Sequence, residues 1–142
     1  MGIAWDLVTR GMPTASDIAK AVKKVKKMPG AGDQQHVQPV FPVYGKPLPP
    51  TPDGAWDNAK LKNLKLKKIQ ATNAQLDRTN LIWHLQNPGK SKMQSPRNTH
   101  PQVIKTNGGD YIIADGHHRL SALRLLGIKR ENVWLLKESD MT

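Results

Sequence analysis

The sequence predicts a small α+β domain preceded by an extended, basic, proline-rich N-terminal arm. Three observations lead there. The chain has 142 residues, enough for one hydrophobic core and too few for two large ones. Seven of its eleven prolines (Pro29, Pro39, Pro42, Pro47, Pro49, Pro50 and Pro52) fall within residues 29–54. Proline removes backbone donors and fixes φ, so neither a helix nor a central strand is expected in that stretch. From about residue 60 the apolar spacing reads as strand, helix, hairpin, helix, strand, the order of a compact α+β unit. The expected division is 1–28, an arm with a basic amphipathic helix; 29–59, a Pro/Gly-rich linker; and 60–142, the folded domain.

In the arm, residues 14–28 read as one helix. Thr14 or Ser16 can cap it, and Asp17 suits the positive end of the helix dipole. Ile18, Ala21, Val22, Val25 and Met28 recur at three- and four-residue steps, and Lys20, Lys23, Lys24 and Lys27 cover the remaining faces. Such a helix suits an anionic partner or, more plainly, a core with its lysines in water. Pro29-Gly30 ends it. The linker should be extended and partly polyproline, and its Val40-Phe41-Pro42-Val43-Tyr44 patch could dock on the domain or on a partner.

Leu64-Lys65-Leu66-Lys67-Lys68-Ile69 alternates at first and suggests a strand with a basic outer face. A helix capped by Asn73 or Asp77 is expected over 76–86, with Leu81, Ile82 and Leu85 inward, stopped by Pro88-Gly89. Residues 87–100 read as a polar loop. Strands are expected over 102–106 and 111–114, joined by Asn107-Gly108-Gly109-Asp110, because Asn and Gly tolerate the positive φ of a hairpin turn. A helix over 118–126 should end at Gly127, and a last strand should cover 132–136. Trp83 and Trp134 sit in apolar patterns and suit core packing better than base stacking, while Trp56 could anchor the linker.

Charge narrows the function. Twenty-two basic against eleven acidic residues give a net charge of +11, which attracts nucleic acid, nucleotides or an acidic protein. There is no cysteine, so disulfides, thiolate chemistry and cysteine zinc sites are excluded. No apolar run reaches the roughly 20 residues that cross a bilayer, and residues 1–6 lack a secretory pattern. A soluble protein of a reducing compartment such as the cytoplasm is expected, with no membrane partner.

The most informative stretch is Ala114-Asp115-Gly116-His117-His118-Arg119-Leu120, where an apolar strand runs into a helix. Gly116 permits a tight turn, the amides of 117–119 become first-turn donors, and Arg119 can fork onto a phosphate or carboxylate. The plainer reading has Asp115 capping the helix, Arg119 pairing with it, and the histidines as polar surface.

The run from Tyr111 to Leu123, with Gly127 and Val133-Trp134-Leu135-Leu136, resembles the ParB/sulfiredoxin-like superfamily. Leu66-Lys67-Lys68-Ile69-Gln70-Ala71-Thr72 resembles its opening strand, and His100-Pro101-Gln102-Val103-Ile104 another of its strands, so the likeness spans about 64–137. It implies a mixed sheet with a few helices and a Gly-x-x-Arg helix start that holds a nucleotide phosphate. The superfamily includes DNA-partitioning CTPases, sulfinic-acid reductases, a free-serine kinase, nucleases and toxin domains. His117 stands where sulfiredoxins carry cysteine, which removes sulfinic acid reduction. Gly116-His117-His118-Arg119 replaces the Gly-Glu-Arg-Arg of partition proteins and no helix-turn-helix pattern follows, so a chromosome-partition role is not expected. The variant is most similar to the phage- or toxin-associated, nuclease-like branch.

Two functions follow as expectations. In the first, the chain binds nucleotide or nucleic-acid phosphate at Gly116, His117, His118 and Arg119, as a DNA-binding or nucleotide-binding protein with nuclease or nucleotide-hydrolase activity open. Catalysis would then use Asp115, His117, His118 and Arg119: a histidine titrating near neutrality as acid or base, Arg119 on the phosphate, and Asp115 orienting a histidine or holding Mg²⁺ with a nucleotide. Lys65, Lys67, Lys68 and Arg124 would track the backbone. Zinc would need His84 or His100 beside the paired histidines, a spacing that matches no ligand pattern. In the second, the protein is a non-catalytic assembly component, for example of a phage particle in the virion or host cytoplasm, using residues 1–58 to bind protein partners.

Overall fold

The computed structural model describes residues 13–30, 34–90 and 99–141. The start of the arm and most of the loop expected over 87–100 lie outside them.

The first helix, α1 (Ala15–Lys27), starts from a capping box. Thr14 accepts from the Asp17 amide at 3.2 Å, and Asp17 accepts from the Thr14 amide at 3.0 Å. Two of the four orphan amides of the first turn are thereby satisfied. Its stripe is covered: Ala21, Val22 and Val25 are buried with Val37, Leu76, Leu81, Leu85 and Ala122. Of the two readings the pattern left open for this helix, the structure shows the docked one, with Lys20, Lys23, Lys24, Lys26 and Lys27 exposed.

The proline-rich stretch is held in two places. Strand β1 (His36–Val37) pairs antiparallel with β4 (Leu76–Asp77). Farther on, the Ala71 amide donates to the Pro42 carbonyl and the Tyr44 amide to the Ala71 carbonyl, both at 2.8 Å. Phe41 is buried in the main core beneath this crossing. Among its described residues no long strand forms, as the missing donors require.

The main sheet has five strands in the order β2-β7-β5-β6-β3. They are β2 (Lys60–Lys65), β3 (Ile69–Gln70), β5 (Gln102–Lys105), β6 (Tyr111–Asp115) and β7 (Arg130–Lys137). Strands β2 and β7 pair antiparallel, as do β5 and β6, while β5 with β7 and β3 with β6 are parallel. The β5–β6 hairpin closes as expected over Asn107–Asp110, with Gly109 at φ +92°.

The expected strand from residue 64 is displaced. The strand ends at Lys65, and Leu66–Lys68 form a 3₁₀ turn carrying the chain from one sheet edge to the other. Leu66 and Ile69, three residues apart, both point into the core, a spacing that suits the turn rather than a strand. Strand β2 is a sheet edge studded with exposed Lys60, Lys62 and Lys65, which discourages edge-to-edge pairing.

Helix α2 (Arg78–Gln86) is capped by Asp77, which accepts from the Asn80 amide at 2.8 Å. Helix α3 (His117–Leu125) starts one residue earlier than expected and ends at Gly127, φ +82°, where Ile128 donates back to the Leu123 carbonyl at 3.0 Å. Alternation along the sheet sends Val103, Ile113, Val133 and Leu135 toward α3. Ile104, Ile112 and Leu136 face the opposite side, covered by Ala55, Trp56, Tyr44 and Met141. No helix among the described residues is long and apolar enough to cross a membrane.

Candidate nucleic-acid interface

The Asp115–Arg119 turn lies where the sequence places it, between β6 and α3, but His117, His118 and Arg119 turn toward the protein while Asp115 stays exposed. Gly116 has φ +100°, and a Cβ there would lie 2.8 Å from Cβ of Pro101. Backbone conformation and space both require glycine at this point. Each histidine takes a backbone donor from the segment that crosses below. Nε2 of His117 accepts from the Thr72 amide at 3.0 Å, and Thr72 Oγ1 donates to the Ile113 carbonyl at 2.6 Å. Nε2 of His118 accepts from the Asp77 amide at 2.9 Å. A nitrogen that accepts carries no proton, so the His117 ring is neutral with its proton on Nδ1. Burial, aided by the neighbouring His118, pushes His117 down to about 4, with Asp115 working the other way. The expected titration near neutrality is therefore absent at His117.

Arg119 is 7% exposed. Its Nη1 donates to the Thr99 carbonyl at 2.9 Å and its Nε is buried without a partner. Burial lowers its pKa, and the charge of Glu131 partly restores it. Its hydrogen-bonded partner is thus the strap at Thr99 rather than Asp115, which is exposed at the end of β6. The rings of His84 and His118 stack with centroids 6.4 Å apart. Among the described residues no three His, Asp or Glu side chains gather as metal ligands.

A second set of predicted residues does come together. Lys65, Lys67 and Arg124 line one open cavity of about 500 Å³, joined by Lys129 and Arg130. Its apolar wall is chiefly Ile128, with Leu66 buried in the core behind it. A smaller hollow of about 100 Å³ shares Lys65 and Arg130 with it and adds Lys68, Asn63 and Tyr111. Among the described residues no carboxylate lines either. Pairing of β2 with β7 puts Lys65 opposite Arg130, and the Leu66 amide donates to the Lys129 carbonyl at 2.9 Å, so chain ends far apart in sequence supply one basic surface. The Arg124 guanidinium lies 5.0 Å from the Phe41 ring centroid, and its Nη1 is buried without a hydrogen-bond partner.

Lys129 and Arg130 were not singled out from the sequence. Their proximity to Gly127, which ends α3 beside a strand, was the available signal. Compared with known proteins, the chain matches no family model, no curated protein and no solved structure.

Proposed function

We propose that this protein binds nucleic acid through the phosphate backbone, using the basic surface of Lys65, Lys67, Lys68, Arg124, Lys129 and Arg130. The observation that carries the reading is their convergence around two adjoining concavities with no carboxylate in the lining. A field of one sign in a hollow attracts and orients a polyanion. The net charge of +11 adds long-range attraction. Turnover at the Asp115–Arg119 turn is not part of this reading. The histidines are occupied in holding backbone, and the guanidinium of Arg119 is buried. We also assign the domain to the ParB/sulfiredoxin-like superfamily as a proposal of the same kind; its support is the Gly-x-x-Arg turn between β6 and α3.

Titration of a labelled oligonucleotide at several salt concentrations tests the binding. With three or four phosphates neutralised, log K should fall against log salt with a slope of roughly −2 to −4. Lys67→Glu with Lys68→Glu, both exposed, should weaken binding at least about tenfold at low salt and flatten that slope. Unchanged affinity in the double variant would refute the surface.

A further inference from the structure

The larger cavity is more than a charged patch. It is open to solvent, and its volume of about 500 Å³ falls within the roughly 300–1,000 Å³ of small-molecule sites. Its chemistry is divided: cationic side chains form part of the lining, and Ile128 together with the aliphatic stems of the lysines supplies apolar wall. A phosphate alone would leave the apolar wall wet, and an apolar ligand alone would leave the cations without partners. The group that satisfies both is a planar, largely apolar ring attached to a phosphate. The smaller hollow continues past the shared Lys65 and Arg130 toward Tyr111, so the basic track extends beyond one ligand unit.

We propose that this cavity holds one unpaired nucleotide of a single strand, its base against Ile128 and its flanking phosphates on Lys67, Lys129 and Arg130, with the strand continuing toward Tyr111. The inference rests on the backbone-binding reading above and narrows it. A duplex has its bases stacked inward and can offer the cavity only its phosphates. Single strands are therefore the preferred ligand.

The test uses the full chain and four probes: a labelled single-stranded oligonucleotide, an abasic strand of the same length, the corresponding duplex, and a free nucleoside monophosphate as competitor. The base-bearing strand should bind at least about tenfold more tightly than the abasic strand or the duplex, as base contacts in single-strand sites do. The monophosphate should compete far more weakly. Ile128→Ala, which removes the apolar wall, should erase the preference for bases and leave abasic binding intact. Equal binding of base-bearing and abasic strands by the wild-type protein would overturn the proposal while leaving a backbone-binding surface. A monophosphate as potent as the strand would overturn the assignment to a strand. Binding of none of the probes would overturn both readings.

Discussion

Gly116 and the two histidines after it form one device. The glycine turns the chain at φ +100° with no room for a Cβ above Pro101, and the turn delivers His117 and His118 to the amides of Thr72 and Asp77. Gly116→Ala should lower stability by about 1–3 kcal/mol, because a left-handed alanine is strained and its methyl clashes. Equilibrium urea unfolding reads that loss. His117 makes stability pH-dependent. Its pKa falls from 6.5 in the unfolded chain to about 4 in the fold. Between those values the unfolded state binds the extra proton, so the stabilisation is complete above pH 6.5 and lost as pH falls toward 4. The loss is at most about 3 kcal/mol, and less to the extent that water reaches the half-buried ring. Unfolding curves at pH 7 and pH 4 should show it, and His117→Asn should flatten the dependence. The Gly-x-x-Arg signature was visible in the sequence, but the direction of its side chains was not. Their partners are Thr72, Asp77 and Thr99, and such distant pairings leave no local pattern.

Among the elements, α1 illustrates what periodicity can and cannot say. The stripe at Ile18, Ala21, Val22 and Val25 identifies the helix, and Thr14 and Asp17 its start, but the same stripe would serve a free arm. What fixes it is packing on α2 together with Arg78. That guanidinium donates to the Val25 carbonyl at the end of α1 and to the Gln34 carbonyl in the linker. Arg78→Ala should release both and weaken the docking of α1 by about 1–3 kcal/mol, as loss of charge-assisted bonds does. Faster amide exchange in residues 15–27, with β5 and β7 unchanged, is the expected signature. The strand expected from residue 64 failed for a related reason. Leu66 and Ile69 are both inward, yet the 3₁₀ turn that makes this so arises from the crossing between sheet edges, not from local sequence.

At the scale of the whole molecule, the charge excess has a location. The lysines of α1 lie on a helix whose apolar side is spent on packing, whereas Lys65, Lys67, Lys68 and Arg124 meet Lys129 and Arg130 around a cavity. Composition announced an anionic partner, and four of these six positions stood out in the sequence; the cavity needed the long-range pairing of β2 with β7. The most direct test is to map amide chemical shifts on titrating a single-stranded oligonucleotide into labelled protein. The account predicts the largest changes at residues 65–68, 124 and 127–130, with 117–119 little moved. Shifts concentrated at 116–119, with the basic surface silent, would contradict it.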